Sequence, residues 1–82
     1  MYEIIISDKA KKQLEKLPQD IKDRIGNAIE RIRITPHRFV LRLVGSPYFR
    51  LRVGDYRVIM DIQQDKLIIL VLELGHRKNI YD

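Results

Sequence analysis

Three arginines, Arg50, Arg52 and Arg57, fall within the stretch YFRLRVGDYRVIM at residues 48–60. That stretch reads as a β-hairpin. Alternating residues flank Gly54-Asp55, a two-residue turn in which glycine adopts positive φ at little cost. A tight turn there sets Val53 opposite Tyr56, Arg52 opposite Arg57, Leu51 opposite Val58, Arg50 opposite Ile59 and Phe49 opposite Met60. One face of the hairpin is then apolar and the other cationic. Like charges directly opposite one another destabilise a sheet by roughly a few tenths of a kcal/mol, so the Arg52 and Arg57 pair points to an anion that the two receive. The solvated face of an antiparallel sheet also carries arginines with no ligand at all, and the hairpin alone leaves both readings open.

The anion best matched to several arginines is a phosphate. Each guanidinium offers planar, multi-donor recognition and a permanent charge, so a group of them stabilises a phosphorane-like transition state. Cleavage of RNA by attack of a ribose 2′-oxygen on its own phosphate fits this well. It needs no metal, only positioning, charge stabilisation, a base for the 2′-OH and an acid for the leaving oxygen. Arginine fills the electrostatic part, but a pKa above about 12 disqualifies it as a base. Proton transfer then falls to His76, Lys78 or Tyr81. Each has a plainer reading beside it: His76 as a surface residue at a strand end, Lys78 as a solvated cation, and Tyr81 as a ring packed on the sheet. Tyr81 would equally serve to stack on a base of single-stranded RNA.

Other chemistries have no residues to run on. No glycine-rich phosphate loop, zinc-type spacing or Ser-His-Asp set is present, and His37 and His76 are the only histidines. No cofactor and no metal are expected. Asp61 and Asp65 read as a sheet-surface acid and a turn former.

The elements that must position these residues follow from the pattern of the chain. Tyr2 to Ile6 is a short β-branched strand, and Ser7 caps the helix behind it. Ala10, Leu14 and Leu17 recur at helical spacing, with Lys9, Lys12 and Lys16 on the outer faces. Pro18 interrupts this helix and opens a second, whose apolar stripe is Ile21, Ile25, Ala28, Ile29 and Ile32. Thr35-Pro36 ends it, and residues 37–47 read as a connection in which Val40 to Val44 could add an extended stretch. Strands are expected at Tyr48–Val53, Tyr56–Ile62 and Lys66–Leu74, joined as a meander. The last contains LIILVL without alternation, as in an interior strand covered on both faces.

The order is βααβββ, an α+β domain with a two-helix hairpin packed on one face of a mostly antiparallel four-stranded sheet. The helices take the face formed by Phe49, Leu51, Val53, Val58, Met60 and Ile62. Arg50, Arg52 and Arg57 are left on the other, within reach of Arg77 from the end of the neighbouring strand.

The 82 residues make one small domain, 1–82, with a single core. There are no cysteines, so packing alone closes the fold. The longest apolar run is far short of a membrane span, and the N-terminus lacks the basic-then-apolar order of a secretion signal, so a cytoplasmic location and no membrane partner are expected. A net charge of +5 favours a polyanionic partner. Both halves of the chain are basic, so the meaning of the charge lies in how the fold arranges it.

The block LVGSPYFRLRVGDYRVIMDI, the LEKLP at the end of the first helix and the ending GHRKNIY together resemble the RelE/ParE toxin superfamily, and its RelE branch in particular. The resemblance spans nearly the whole chain. It implies a toxin of a type II toxin-antitoxin system: a metal-independent, ribosome-dependent endoribonuclease that cuts mRNA in the decoding site and is silenced by a RelB-like antitoxin. The implied partners are that antitoxin, the ribosome and mRNA, with no DNA contact by the toxin alone. Arg57 matches the family arginine that contacts the phosphate, Arg77 the arginine after the last strand, and Tyr81 the stacking tyrosine. Arg50 and Arg52 stand where the best-studied branch has two lysines. A lysine with a lowered pKa can lose a proton and an arginine effectively cannot, so this strand supplies charge rather than a base. His76 is a further candidate for proton transfer. Members of the superfamily that poison DNA gyrase share the fold, so a ParE-like gyrase inhibitor is the alternative, and a catalytically weak module that binds RNA or antitoxin is a third.

Overall fold

The computed structural model describes residues 1–78. Strand β1 (Glu3–Ile6) runs into helix α1 (Asp8–Glu15) through Ser7. The Ser7 hydroxyl oxygen accepts the Ala10 N–H at 3.1 Å, satisfying one of the orphan donors of the helix start. The same hydroxyl donates to the Leu72 carbonyl at 2.7 Å, which pins the helix start to the sheet. Pro18 sits at the N-cap of helix α2 (Gln19–Arg31), where a missing N–H is harmless. Tyr2, ahead of β1, donates its N–H to the Arg33 carbonyl at 2.9 Å, so the end of α2 is tied back to the start of the sheet.

After a 3-10 turn at Pro36–Arg38 come β2 (Leu41–Arg42), β3 (Phe49–Val53), β4 (Tyr56–Gln63) and β5 (Ile68–His76). The α+β class holds, with one strand more than expected. The extra strand is β2, two residues within the 40–44 stretch that pair with Arg50 and Phe49. The sheet runs β1-β5-β4-β3-β2, with β1 parallel to β5 and every other pair antiparallel. Strand β5 is therefore interior along Ile68–Val71, where it is flanked by β1 and β4, in keeping with its unbroken apolar run.

Beyond Val71 strand β1 has ended, and α1 covers the exposed edge of β5. The Gln13 side-chain carbonyl accepts the Leu74 N–H at 2.8 Å, standing in for a strand partner. The core lies between the helices and one face of the sheet. Ala10, Ile25, Ile29 and Ile32 pack against Leu51, Val58, Met60, Ile62, Ile69, Val71 and Leu74, all buried.

One irregularity in this sheet has consequences for the site. Along the β4–β5 ladder Ile59 pairs with Glu73 but Met60 pairs with Val71, so Leu72 is an extra residue in a β-bulge. Val71 and Leu74 consequently both face the helices, three positions apart.

Candidate functional site

The hairpin forms in the register expected from its turn: Val53 faces Tyr56, Arg52 faces Arg57, Leu51 faces Val58, Arg50 faces Ile59 and Phe49 faces Met60. Leu51, Val58 and Met60 belong to the core, which sets Arg50, Arg52 and Arg57 on the opposite, open face. Arg52 is exposed and Arg50 and Arg57 are half-buried. Gly54 has φ +59°, in the region that favours glycine. Arg52 reaches back along the turn, its Nε donating to the Gly54 carbonyl at 3.5 Å.

The end of β5 is held against this hairpin. Gly75 lies opposite Arg57, so the strand position next to that arginine carries no side chain. The Arg77 N–H donates to the Asp55 carbonyl at 2.8 Å, anchoring Arg77 beside the turn. Arg77 itself lies one residue past the end of β5, in a turn. Tyr81 lies outside the described residues.

His76 takes the other side. It pairs with Tyr56, and the two rings meet edge to face with centroids 5.5 Å apart. Together with Lys9, Gln13 and Lys16 of α1 and its flank, His76 and Tyr56 line a cleft of about 420 Å³. The His76 Nδ1 accepts the Lys78 N–H at 3.3 Å. The fold thus brings Arg50, Arg52 and Arg57 together, places the Arg77 backbone alongside, and separates His76 from them by the thickness of the sheet. Among the described residues no group of three or more His, Cys, Asp or Glu side chains could hold a metal ion.

Two arginines that sequence reasoning passed over also approach this hairpin. Arg24 of α2 lies against Gly54 so closely that a Cβ there would sit 3.1 Å from its Nη2. Arg24, Asn27 and Arg31 share a groove of about 340 Å³ with Arg52, Val53 and Gly54. Their spacing of three and four residues was the available signal, since it puts them on one helix face.

A small α+β domain with a helical hairpin on one face of its sheet and grouped arginines on the other is the class of protein that these features define. A family model for the ParE toxin of type II toxin-antitoxin systems (parDE) matches residues 4–81, and the chain belongs to that family. It is a toxin of the RelE/ParE superfamily, and its fold is that of solved RelE toxins. The toxin-antitoxin complex RelBE2 from Mycobacterium tuberculosis aligns with a TM-score of 0.82 at 26% identity, covering 93% of this chain and 98% of that one. The archaeal RelE-RelB complex from Pyrococcus horikoshii gives a TM-score of 0.81 at 28% identity, over 96% of this chain and 98% of that one. The intact E. coli RelBE complex gives 0.79 at 20% identity, over 93% of this chain and 96% of that one, a likeness of fold. No curated protein matches the chain. No helix among the described residues is long and apolar enough to cross a membrane.

Proposed function

We propose that this toxin is a ribosome-dependent endoribonuclease that cleaves mRNA in the decoding site and is held inactive by a RelB-like antitoxin. The observation that carries the reading is the Arg52–Arg57 pair, two like charges set directly opposite one another on the open face beside Arg50. Two guanidinium groups set opposite one another can grip a single phosphate from both sides, each offering paired N–H donors.

In the reaction the 2′-oxygen attacks the adjacent phosphorus and the bond to the 5′-oxygen breaks, leaving a 2′,3′-cyclic phosphate and a 5′-hydroxyl. Arg50, Arg52, Arg57 and Arg77 stabilise the charge that grows on the phosphoryl oxygens, and Tyr81 stacks on a neighbouring base. The 2′-OH loses a proton and the leaving oxygen gains one. With His76 turned toward Tyr56, those transfers fall to Lys78 or Tyr81, which follow Arg77 in the chain.

The test is purified toxin added to translating ribosomes carrying a defined mRNA. The expected result is a cut within the decoding site, reduced by roughly 100-fold or more in Arg57→Ala and in Arg77→Ala with antitoxin binding retained. Unchanged cleavage in both variants removes these residues from the site. A second reading, inhibition of DNA gyrase, is favoured by the ParE name of the matching family. Intact mRNA together with inhibited gyrase supercoiling would establish it in place of the first.

A further inference from the structure

We infer that the groove between α2 and the β3–β4 turn is a second phosphate-binding site, which holds the RNA backbone away from the scissile phosphate. The inference rests on the reading of the toxin as an enzyme directed at RNA, and it adds Arg24, Asn27 and Arg31, which the cleavage site does not use, to Arg52, which the two share. Arg24, Asn27 and Arg31 line the groove from the helix and Arg52, Val53 and Gly54 from the hairpin, in a volume of about 340 Å³ with no acidic side chain among them. Arg24, Arg31 and Arg52 are exposed. The Arg33–Glu30 and Lys9–Glu73 ion pairs do not involve the groove arginines.

The fold keeps this groove open. Strand β2 pairs only with Phe49 and Arg50, so no strand covers the outer edge of β3 at residues 51–53. Gly54 keeps the turn without a side chain where Arg24 lies against it. Arg52 belongs both to the open face and to the groove, so positive charge continues around the edge of the sheet from Arg57 to Arg31. A chain of phosphates fits such a path, because its charges repeat along a flexible backbone and planar guanidinium groups bind each one bidentately. An amphipathic helix fits poorly, since Ala28 and Val53 are the only apolar side chains that the groove offers as anchors.

The test uses the full chain freed of any partner and a fluorescein-labelled 12-nucleotide oligouridylate with 2′-O-methyl groups, which cannot be cleaved. Binding is followed by anisotropy across a series of KCl concentrations. Arg24→Ala/Arg31→Ala is expected to bind about 10-fold or more weakly at 100 mM salt, with the slope of log K against log salt flatter by about 1.4, at about 0.7 per lost phosphate contact. The control pair Lys12→Ala/Lys66→Ala, exposed in α1 and in the β4–β5 connection, is expected to change affinity less than 3-fold. Arg24→Gln/Arg31→Gln repeats the measurement if the alanine pair does not give a wild-type thermal transition.

Equal losses in the groove and control pairs would overturn the site in favour of diffuse attraction. Absence of wild-type binding at the lowest salt would overturn it as well. Displacement of the oligonucleotide by a 12-residue polyglutamate as effectively as by unlabelled RNA would assign the groove to an acidic peptide instead. The ribosome assay is separate: groove-dependent binding without mRNA cleavage sinks the catalytic reading alone, and cleavage with unaltered oligonucleotide binding in the groove variant sinks the groove alone.

Discussion

The two faces of strands β3 and β4 are made from alternate residues of the same chain, yet they are built on opposite terms. Toward the helices, Leu51, Val58 and Met60 are 5%, 0% and 0% exposed, and the sheet here is the floor of the core. Away from the helices stand Arg50, Arg52 and Arg57, with Ile59 the one buried apolar side chain of the hairpin outside the core cluster. Burial stabilises the first face, and the second carries the positive charge that would receive an anion. Position along the strand therefore decides whether a substitution registers in folding or in recognition of an anion.

The largest effect should come from the buried face. Met60→Ala removes a fully buried side chain and should lower stability by about 2–5 kcal/mol, read from the urea midpoint, with RNA binding by the remaining folded protein unchanged. A loss of RNA affinity in folded Met60→Ala would show that the two faces are coupled. Gly54→Ala acts on both. It places a side chain at φ +59°, which should cost about 1–2 kcal/mol, and it pushes the Arg24 guanidinium away from the turn. Equilibrium unfolding and oligonucleotide binding should fall together in that variant, and a loss in only one would separate the turn from the groove.

Arg52→Thr should have the smallest effect on stability. Loss of this exposed side chain and its 3.5 Å bond to the Gly54 carbonyl should change the unfolding free energy by no more than about 0.5 kcal/mol while RNA affinity drops. A marked loss of stability in Arg52→Thr would mean that the open face contributes to the fold as well as to anion recognition.

Much of this was legible in the sequence because local signals agreed. The Gly54-Asp55 turn and the alternation around it specify the hairpin register to the residue, and Ser7 and Pro18 mark the two helix starts where they occur. The start of β5 was harder. It was expected at Lys66 but lies at Ile68, because Leu67 adopts φ +54°, a conformation that a leucine does nothing to announce. Strand β2 was visible only as a possible extended stretch at 40–44, because two residues carry too little pattern to fix a strand and its pairing is set by the neighbouring hairpin. The side of the sheet on which His76 falls depends on the Leu72 bulge, which an unbroken run of aliphatic residues conceals. Arg24 and Arg31 were passed over because only the turn packed beside them makes their shared helix face one wall of a groove.

The bulge at Leu72 works like a shift of reading frame within a strand. Upstream of it the odd-numbered residues Ile69 and Val71 face the helices, and downstream the even-numbered Leu74 and His76 do. Were the strand to run regularly through the same residues, the two sets would be exchanged: the histidine would join Arg57 on the open face, and the seat now left empty by Gly75 would move to the helix side. The extra residue at Leu72 and the order of residues after it are thus matched: together they leave the seat beside Arg57 empty and turn the imidazole toward the helices.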